Sequence, residues 1–305
     1  MNITMNRFLR RSAIFLAGIL VYCLTMVAIN ELIFVLSPVP LHRSRVLIAG
    51  DSHLMRSLDP SVFEDAQNIC RSAEAYAVTY WKLQQVLDVV RPDTVILSLS
   101  PANLSSYGDR VFDLRDVAIS QFNDTYRVLN VGSLLRDFEV DEKALLKVFV
   151  KRLALLPNLT QRAYVGNYLP SLGSNTATVE MKYAAHYARP GEDSAGVGRV
   201  MITYLDSIVT LCRQRDIVPV VIVAPHLAAY VDRVPPHIME AYEDKLATYR
   251  RAESIPVIDR LVGHYPDSLY FDADHLNHLG ATAFTREVIA QLREPTADGV
   301  RIESR

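Results

Sequence analysis

Val46-Leu47-Ile48-Ala49-Gly50-Asp51-Ser52-His53 is a run of four apolar residues that stops abruptly in Gly-Asp-Ser-His. Gly, Asp and Ser are ordinary turn residues, so a buried strand ending in a polar turn is the plainest interpretation. The same residues also make a nucleophile turn, because parallel α/β sheets build their sites just beyond the C-terminal ends of their strands. By itself the octapeptide is only suggestive. A second signal, Asp272-Ala273-Asp274-His275, lies near the far end of the chain and gives it weight.

Working outward from the strand, the order of elements predicts the fold class. Glu74 to Val90 repeats Tyr76, Tyr80, Leu83, Val86 and Leu87 at helical spacing. Residues 66–72 can form a short strand, and Asp93 to Ser100 is the clearest internal one, followed by Pro101-Ala102-Asn103. Regularity returns with a helix from about Val197 to Arg215, a strand from Ile217 to Ala224 ending at Pro225-His226, and a helix over Pro236–Arg251. A strand over Ile255–Asp259 and a last helix from Gly280 to Leu292 close the pattern. Strands written as continuous apolar runs and alternating with helices predict a three-layer α/β/α fold with a central parallel sheet, flavodoxin-like in arrangement.

Between Ser105 and about residue 195 the pattern loosens. Glu142 to Leu156 reads as helical, while Pro157 to Pro190 is rich in turn residues and tyrosine, so 105–195 is expected to be an insertion or cap. Tyr164, Tyr168, Tyr183 and Tyr187 would suit an acceptor-binding cap, although loop tyrosines also serve as packing.

Upstream of the octapeptide, residues 1–12 carry Arg7, Arg10 and Arg11, and an apolar run follows from Ala13 through Leu36, interrupted by Asn30 and Glu31. A helix counted through Val35 is about 34 Å long at ~1.5 Å per residue, enough to cross a bilayer. A small-x-small cleavage site does not follow it, and Cys23 lacks the small residues that precede a lipoprotein cysteine, so an uncleaved signal anchor is expected. The arginines before the run outnumber Arg43 and Arg45 beyond it, which places the body outside the cytoplasm, periplasmic if the cell is Gram-negative. The expected organisation is therefore a cytoplasmic 1–12, a transmembrane 13–36, a stiff linker at 37–44 containing Pro38 and Pro40, and a domain over 45–305.

Composition narrows the partners. A net charge of −2 leaves no broad basic surface, so nucleic acid is not an expected partner. Cys23, Cys70 and Cys212 are too far apart for a metal cluster or a disulfide framework; buried thiols at Cys70 and Cys212 are expected, with a bridge between them as the alternative. No histidine and carboxylate spacing suits a metal, and no Gly-rich phosphate loop is present, so no metal or cofactor is expected.

Serine becomes a nucleophile when a base takes its proton and a third group orients that base. His275 and Asp272 offer both, three residues apart, before the final helix; helix capping by such a pair, with Asn277 or Asp274 doing similar work, is the competing use. His53 is expected to face the cleft, His226 to line its mouth, and His278 to rival His275 as a base or contact substrate, although no acid stands three residues before His278.

Taken together, Gly50-Asp51-Ser52, the Asp272-x-x-His275 segment and the run Leu276-Asn277-His278-Leu279-Gly280-Ala281 resemble the SGNH/GDSL hydrolase superfamily. The resemblance implies catalytic Ser52, Asp272 and His275, with an oxyanion hole from the N–H of Ser52, the N–H of Ala73 and the side chain of Asn103. Ala73 stands where the family usually has glycine, and can donate its N–H if the turn needs no positive φ; Pro101 replaces another usual glycine. Anchored members outside the cytoplasm imply acyl-ester substrates, and O-acetylated envelope or secreted polysaccharide above all, by an esterase or an O-acetyltransferase. The altered oxyanion blocks leave a second expectation, a catalytically degenerate scaffold of an export or assembly complex.

Overall fold

The computed structural model describes residues 3–174, 177–188, 194–252 and 255–293. In chain order its elements are α1 (Ile3–Leu36), β1 (Val46–Ala49), α2 (Ser52–Ser57), β2 (Ala66–Asn68), α3 (Tyr76–Val90) and β3 (Thr94–Ser98). Then come α4 (Ser106–Asp109), α5 (Arg115–Thr125), α6 (Val131–Asp137), α7 (Glu142–Phe149), α8 (Val179–Tyr187) and α9 (Arg199–Gln214). The chain ends with β4 (Val218–Val223), α10 (Ala228–Val231), α11 (Pro236–Arg251), β5 (Val257–Asp259) and α12 (His278–Arg293). These fall into two compact units: Met1–Pro40 with Phe112–Arg127 and Val140–Tyr164, and Leu41–Val111 with Val128–Glu139 and Val165–Arg305.

The second unit holds the sheet. Its strands are all parallel, in the order β2-β1-β3-β4-β5. The apolar runs that lack polar alternation are buried on both faces, as a sheet covered on each side requires. Val46, Ile48, Ile96, Val220, Ile222 and Ile258 share one core with Leu54 and Leu58 at α2, and with Phe284, Val288 and Leu292 of α12. Leu47, Val95, Leu97 and Val221 alternate with them, are equally buried and point the other way, where α3 and α9 pack on each other. Cys70 and Cys212 are free buried thiols, and no bridge joins them.

The strand order reverses direction between β1 and β3, so their C-terminal ends open a crevice at the switch point. The chain leaves β1 through Gly50 at φ +140°, and a Cβ there would lie 2.6 Å from the Cβ of Ser98 at the end of β3. Only glycine lets the turn pass this close.

The first unit contains the apolar helix. α1 is continuous over 34 residues, and its length and composition suffice to cross a membrane. Residues 105–195, expected to be an insertion or cap, contribute segments to both units. The turn-rich expectation for Pro157–Pro190 is corrected by α8, which starts at a Thr178 cap accepting from the N–H of Met181 and carries Glu180 in its first turn.

Gly50→Ala combines an unfavourable φ with a steric collision, and should cost about 3 kcal/mol. Thermal unfolding of the variant should show a midpoint lower by roughly 6–12 °C.

Candidate active site

Asp51 caps α2 by accepting from the N–H of His53 at 3.0 Å, which aims Ser52 out of the first turn into the crevice. His275 arrives from the other side of the sheet, in the loop between β5 and α12. That loop is tied to the end of β4 by the N–H of Leu227 donating to the carbonyl of Ala273 at 3.0 Å. It is closed on itself by the N–H of Phe271 donating to the carbonyl of His275 at 2.8 Å. Asn277 performs the capping: its Oδ1 accepts from the N–H groups of Leu279 and Gly280, at 3.0 and 3.1 Å. Asp272 and His275 are thereby released from that duty.

The three side chains form one hydrogen-bonded line. Ser52 Oγ lies 2.9 Å from His275 Nε2, and His275 Nδ1 lies 2.9 Å from Asp272 Oδ1. With the proton on Nδ1 donated to the carboxylate, Nε2 accepts from the serine hydroxyl. Residues 223 positions apart thus meet in the order that proton transfer needs.

Asp51 is not part of this line. Its carboxylate accepts from Ser98 Oγ at 2.8 Å and Asn103 Nδ2 at 2.6 Å, and pairs with His53 Nδ1 at 2.8 Å. Burial works against its charge, but His53, Asn103 and Ser98 together hold its carboxyl well below the usual carboxylate range. One N–H of the Asn103 amide is therefore spent on Asp51, and Ser100 Oγ donates to its Oδ1 at 3.0 Å. This fixes the amide plane, with the residue still lining the cavity.

Ala73 lines the same cavity, and its φ is +52°. The turn does require the left-handed region, so the condition under which alanine substitutes freely for glycine is not met. Holding a Cβ there costs on the order of 1–2 kcal/mol. The next residue helps hold it: Glu74 receives Thr79 Oγ1 at 2.8 Å and Lys82 Nζ at 2.7 Å, both pairs fully out of water. Lys82 Nζ also donates to the carbonyl of Ile69 at 2.6 Å, which locks the segment from β2 to α3.

Two side chains at the site come from α8 and were not legible as site residues. Lys182 Nζ lies 3.0 Å from Asp272 Oδ2 and 2.7 Å from Asp274 Oδ1. His186 lines the cavity, pairs its Nδ1 with Tyr230 OH at 2.6 Å, and burial lowers its pKa to about 4. The Thr178 cap could have disclosed the helix, but nothing local says which face meets the triad. Asp274 itself lies 3.0 Å from His275 Nδ1 and 3.5 Å from His53 Nε2, and these histidines hold it well below its usual range despite burial.

His53, expected to face the cleft, is among the residues lining the cavity. Its ring is buried, stacked on that of His275 at 5.3 Å between centroids. Burial disfavours its charge, yet Asp51 and Asp274 on either side raise its pKa to about 10. His226 and His278, expected to contact substrate, are not among the described residues lining the cavity. His226 is buried with Nδ1 on the carbonyl of Ala224 at 2.7 Å, and burial lowers its pKa to about 3. His278 is exposed at the start of α12. Of the four tyrosines considered for acceptor binding, Tyr164 and Tyr187 are buried; among the described residues the tyrosine lining the cavity is Tyr107.

His53, Asp274 and His275 bring potential metal ligands within 4.8 Å of one another. Their charges are already answered: Lys182 occupies Asp274, Ser52 occupies His275 Nε2, and His53 is itself cationic at neutral pH. This donor set suits an ion-pair network better than a divalent ion.

No protein-family model matches the sequence, and no curated protein matches it. Among solved structures, a candidate lipolytic protein of the G-D-S-L family from Desulfitobacterium hafniense is similar at 10% identity and a TM-score of 0.39, over 80% of this chain and 97% of that one. A candidate acylhydrolase from Bacteroides fragilis is similar at 10% identity and a TM-score of 0.42, over 86% of this chain and 94% of that one.

His53 generates a pH prediction. Its pKa rises from 6.5 to about 10 on folding, so the native state binds the extra proton between those values and its contribution is complete only below 6.5. Stability should therefore fall from about pH 6.5 to pH 10, by on the order of a few kcal/mol. In denaturant titrations across this range, His53→Asn should be less stable at pH 7 and should lack most of that slope.

Proposed function

We propose that the chain is a serine-dependent acyl-ester enzyme of the SGNH type, held at a membrane by α1. The observation that carries this reading is the Ser52–His275–Asp272 line at 2.9 Å per link, set at the switch point of a parallel sheet. Ser52 Oγ attacks the ester carbonyl while His275 Nε2 takes its proton. The tetrahedral oxyanion faces the N–H groups of Ser52 and Ala73 and the remaining amide proton of Asn103. His275 returns the proton to the leaving alcohol, and an acyl-Ser52 is left for water or a second hydroxyl.

Charge balance favours that step. Asp51, Asp272 and Asp274 face two cations, Lys182 and His53, so an imidazolium at His275 makes the cluster neutral. The buried carboxylates are thus arranged to stabilise positive charge on the His275 ring during the reaction.

The size of the cavity speaks to the acyl group. It measures about 170 Å³ and is walled by Ala75, Ala102, Gly108, Val111 and Met201. A cavity of ~150 Å³ holds a benzene-sized molecule, so acetyl and other short acyl groups fit this one. A short acyl group on an envelope or secreted polysaccharide agrees with an anchored domain outside the cytoplasm, its acceptor being water in an O-acetylesterase or a sugar hydroxyl in an O-acetyltransferase. The scaffold reading draws on Ala73 and on the engagement of Asn103 by Asp51, and the same experiment separates the two.

Fluorophosphonate should label the purified full chain, and Ser52→Ala should abolish the label; an unlabelled, folded wild type would leave the scaffold. Asp272→Asn, which removes the carboxylate charge beside Nδ1–H and lets the ring take the wrong tautomer, should lower kcat on a chromogenic acetate by about 10³–10⁴-fold. Acetyl release that accelerates only when polysaccharide is added would select the transferase.

A further inference from the structure

α1 is longer than a bilayer needs. Its 34 residues span about 51 Å at ~1.5 Å per residue, against a hydrocarbon core of ~30 Å. With Arg10 and Arg11 at one boundary, some 20 apolar residues bring the other boundary to the level of Asn30 and Glu31.

At that level the helix is clasped by the segment following α7 in the same unit. Asn30 is fully buried: its Nδ2 donates to the carbonyls of Leu153 and Leu156 at 2.9 and 3.0 Å, and its Oδ1 accepts from the N–H of Asn158 at 2.8 Å. Tyr22 OH donates to the carbonyl of Leu155 at 2.6 Å, so the clasp reaches well into the apolar stretch. Arg127 pairs with Glu31 at 2.6 Å, and Arg127 and Arg162 lie over the ring of Phe34 at 4.5 and 3.8 Å.

The outer side of this segment is apolar. Leu146, Val150, Leu155, Leu156 and Leu159 are exposed, Leu159 to 83% and Leu156 to 62%, while Ala144, Leu145 and Val148 of α7 face inward. Lys143, Lys147 and Lys151 are exposed on the same stretch. Large apolar side chains left in water beside a membrane-crossing helix, with lysines interleaved, have the composition of an interfacial element. Basic residues there are attracted to anionic headgroups.

We propose that Leu146–Leu159 is a membrane-inserting element that buries these leucines in the leaflet on the domain side and sets its lysines among anionic lipid headgroups. The proposal rests on the reading of α1 as a membrane anchor. With it, the unit grips the bilayer through two elements, and Asn30, costly in hydrocarbon alone, is satisfied by the backbone of the second.

The test uses the full chain in vesicles of phosphatidylcholine and phosphatidylglycerol, with acyl chains brominated near the headgroup or near the bilayer centre. Trp81, the single tryptophan, is buried and gives the baseline. Leu159→Trp places a probe at the proposed insertion, where a side chain is so exposed that folding is not threatened, and Phe15→Trp places one in the anchor. Phe15→Trp should be quenched by the deep bromines, and the Leu159→Trp probe should lose roughly half of its emission to the shallow ones, as insertion by ~5–10 Å implies. Quenching of Phe15→Trp without Leu159→Trp would overturn the proposal and keep the anchor. Blue-shifted but unquenched emission from Leu159→Trp would overturn it in favour of a protein surface, such as a second copy, on that face. Neither probe quenched would overturn the anchor and the proposal with it.

Discussion

A carboxylate removed from water holds the corner around Ser52 together. Asp51 is buried, and its charge survives there because the His53 ring, the His53 N–H, Ser98 and Asn103 all point at it. Those contacts join the end of β1, the start of α2, the end of β3 and the turn that follows. An uncompensated charge at this depth would be untenable, so the geometry of the turn and the ionisation of Asp51 depend on each other. Gly50 is the steric counterpart of that arrangement, since only a residue without a side chain lets β1 come close enough to Ser98 for the carboxylate to be reached.

Around Ser52 runs a chain of opposite charges, Asp51–His53–Asp274–Lys182–Asp272, which lies beside the Ser52–His275–Asp272 line and ends on Asp272. Its members come from the β1 turn, from α8 and from the loop before α12. The carboxylates and His53 are buried, so each of these charges depends on its neighbours, and Asp274 of this network also lies against the His275 ring. The proposed oxyanion side is built with less margin. Ala73 occupies a left-handed conformation that glycine would adopt without strain, and one Asn103 proton is committed to Asp51.

The sheet and the residues of the Ser52–His275–Asp272 line were legible because their signals are local. Continuous apolar runs announce strands buried on both faces, and Gly50-Asp51-Ser52 and Asp272-x-x-His275 carry their chemistry within single turns. Asn277 as the cap of α12 was visible only as one of several possibilities, since Asp272, Asp274 and Asn277 all have the chemistry of a cap and only geometry assigns the role. The cap region misled for a different reason: Val179–Tyr187 is short and follows a long turn-rich stretch, so its Thr178 cap had no strong periodicity to support it.

What the sequence determined on its own is the parallel α/β class, the apolar N-terminal helix, and which serine, histidine and aspartate stand at the ends of the right elements. The tertiary structure decided everything that depends on proximity between distant segments. It placed Lys182 on Asp272, made His53 a buried partner of Asp51 and Asp274, kept His226 and His278 off the cavity wall, and put Asn30 against Leu153 and Leu156. Local propensity acts over a few residues, whereas the charge and hydrogen-bond partners of a buried group are chosen by the packing of elements that can be a hundred residues or more apart in the chain.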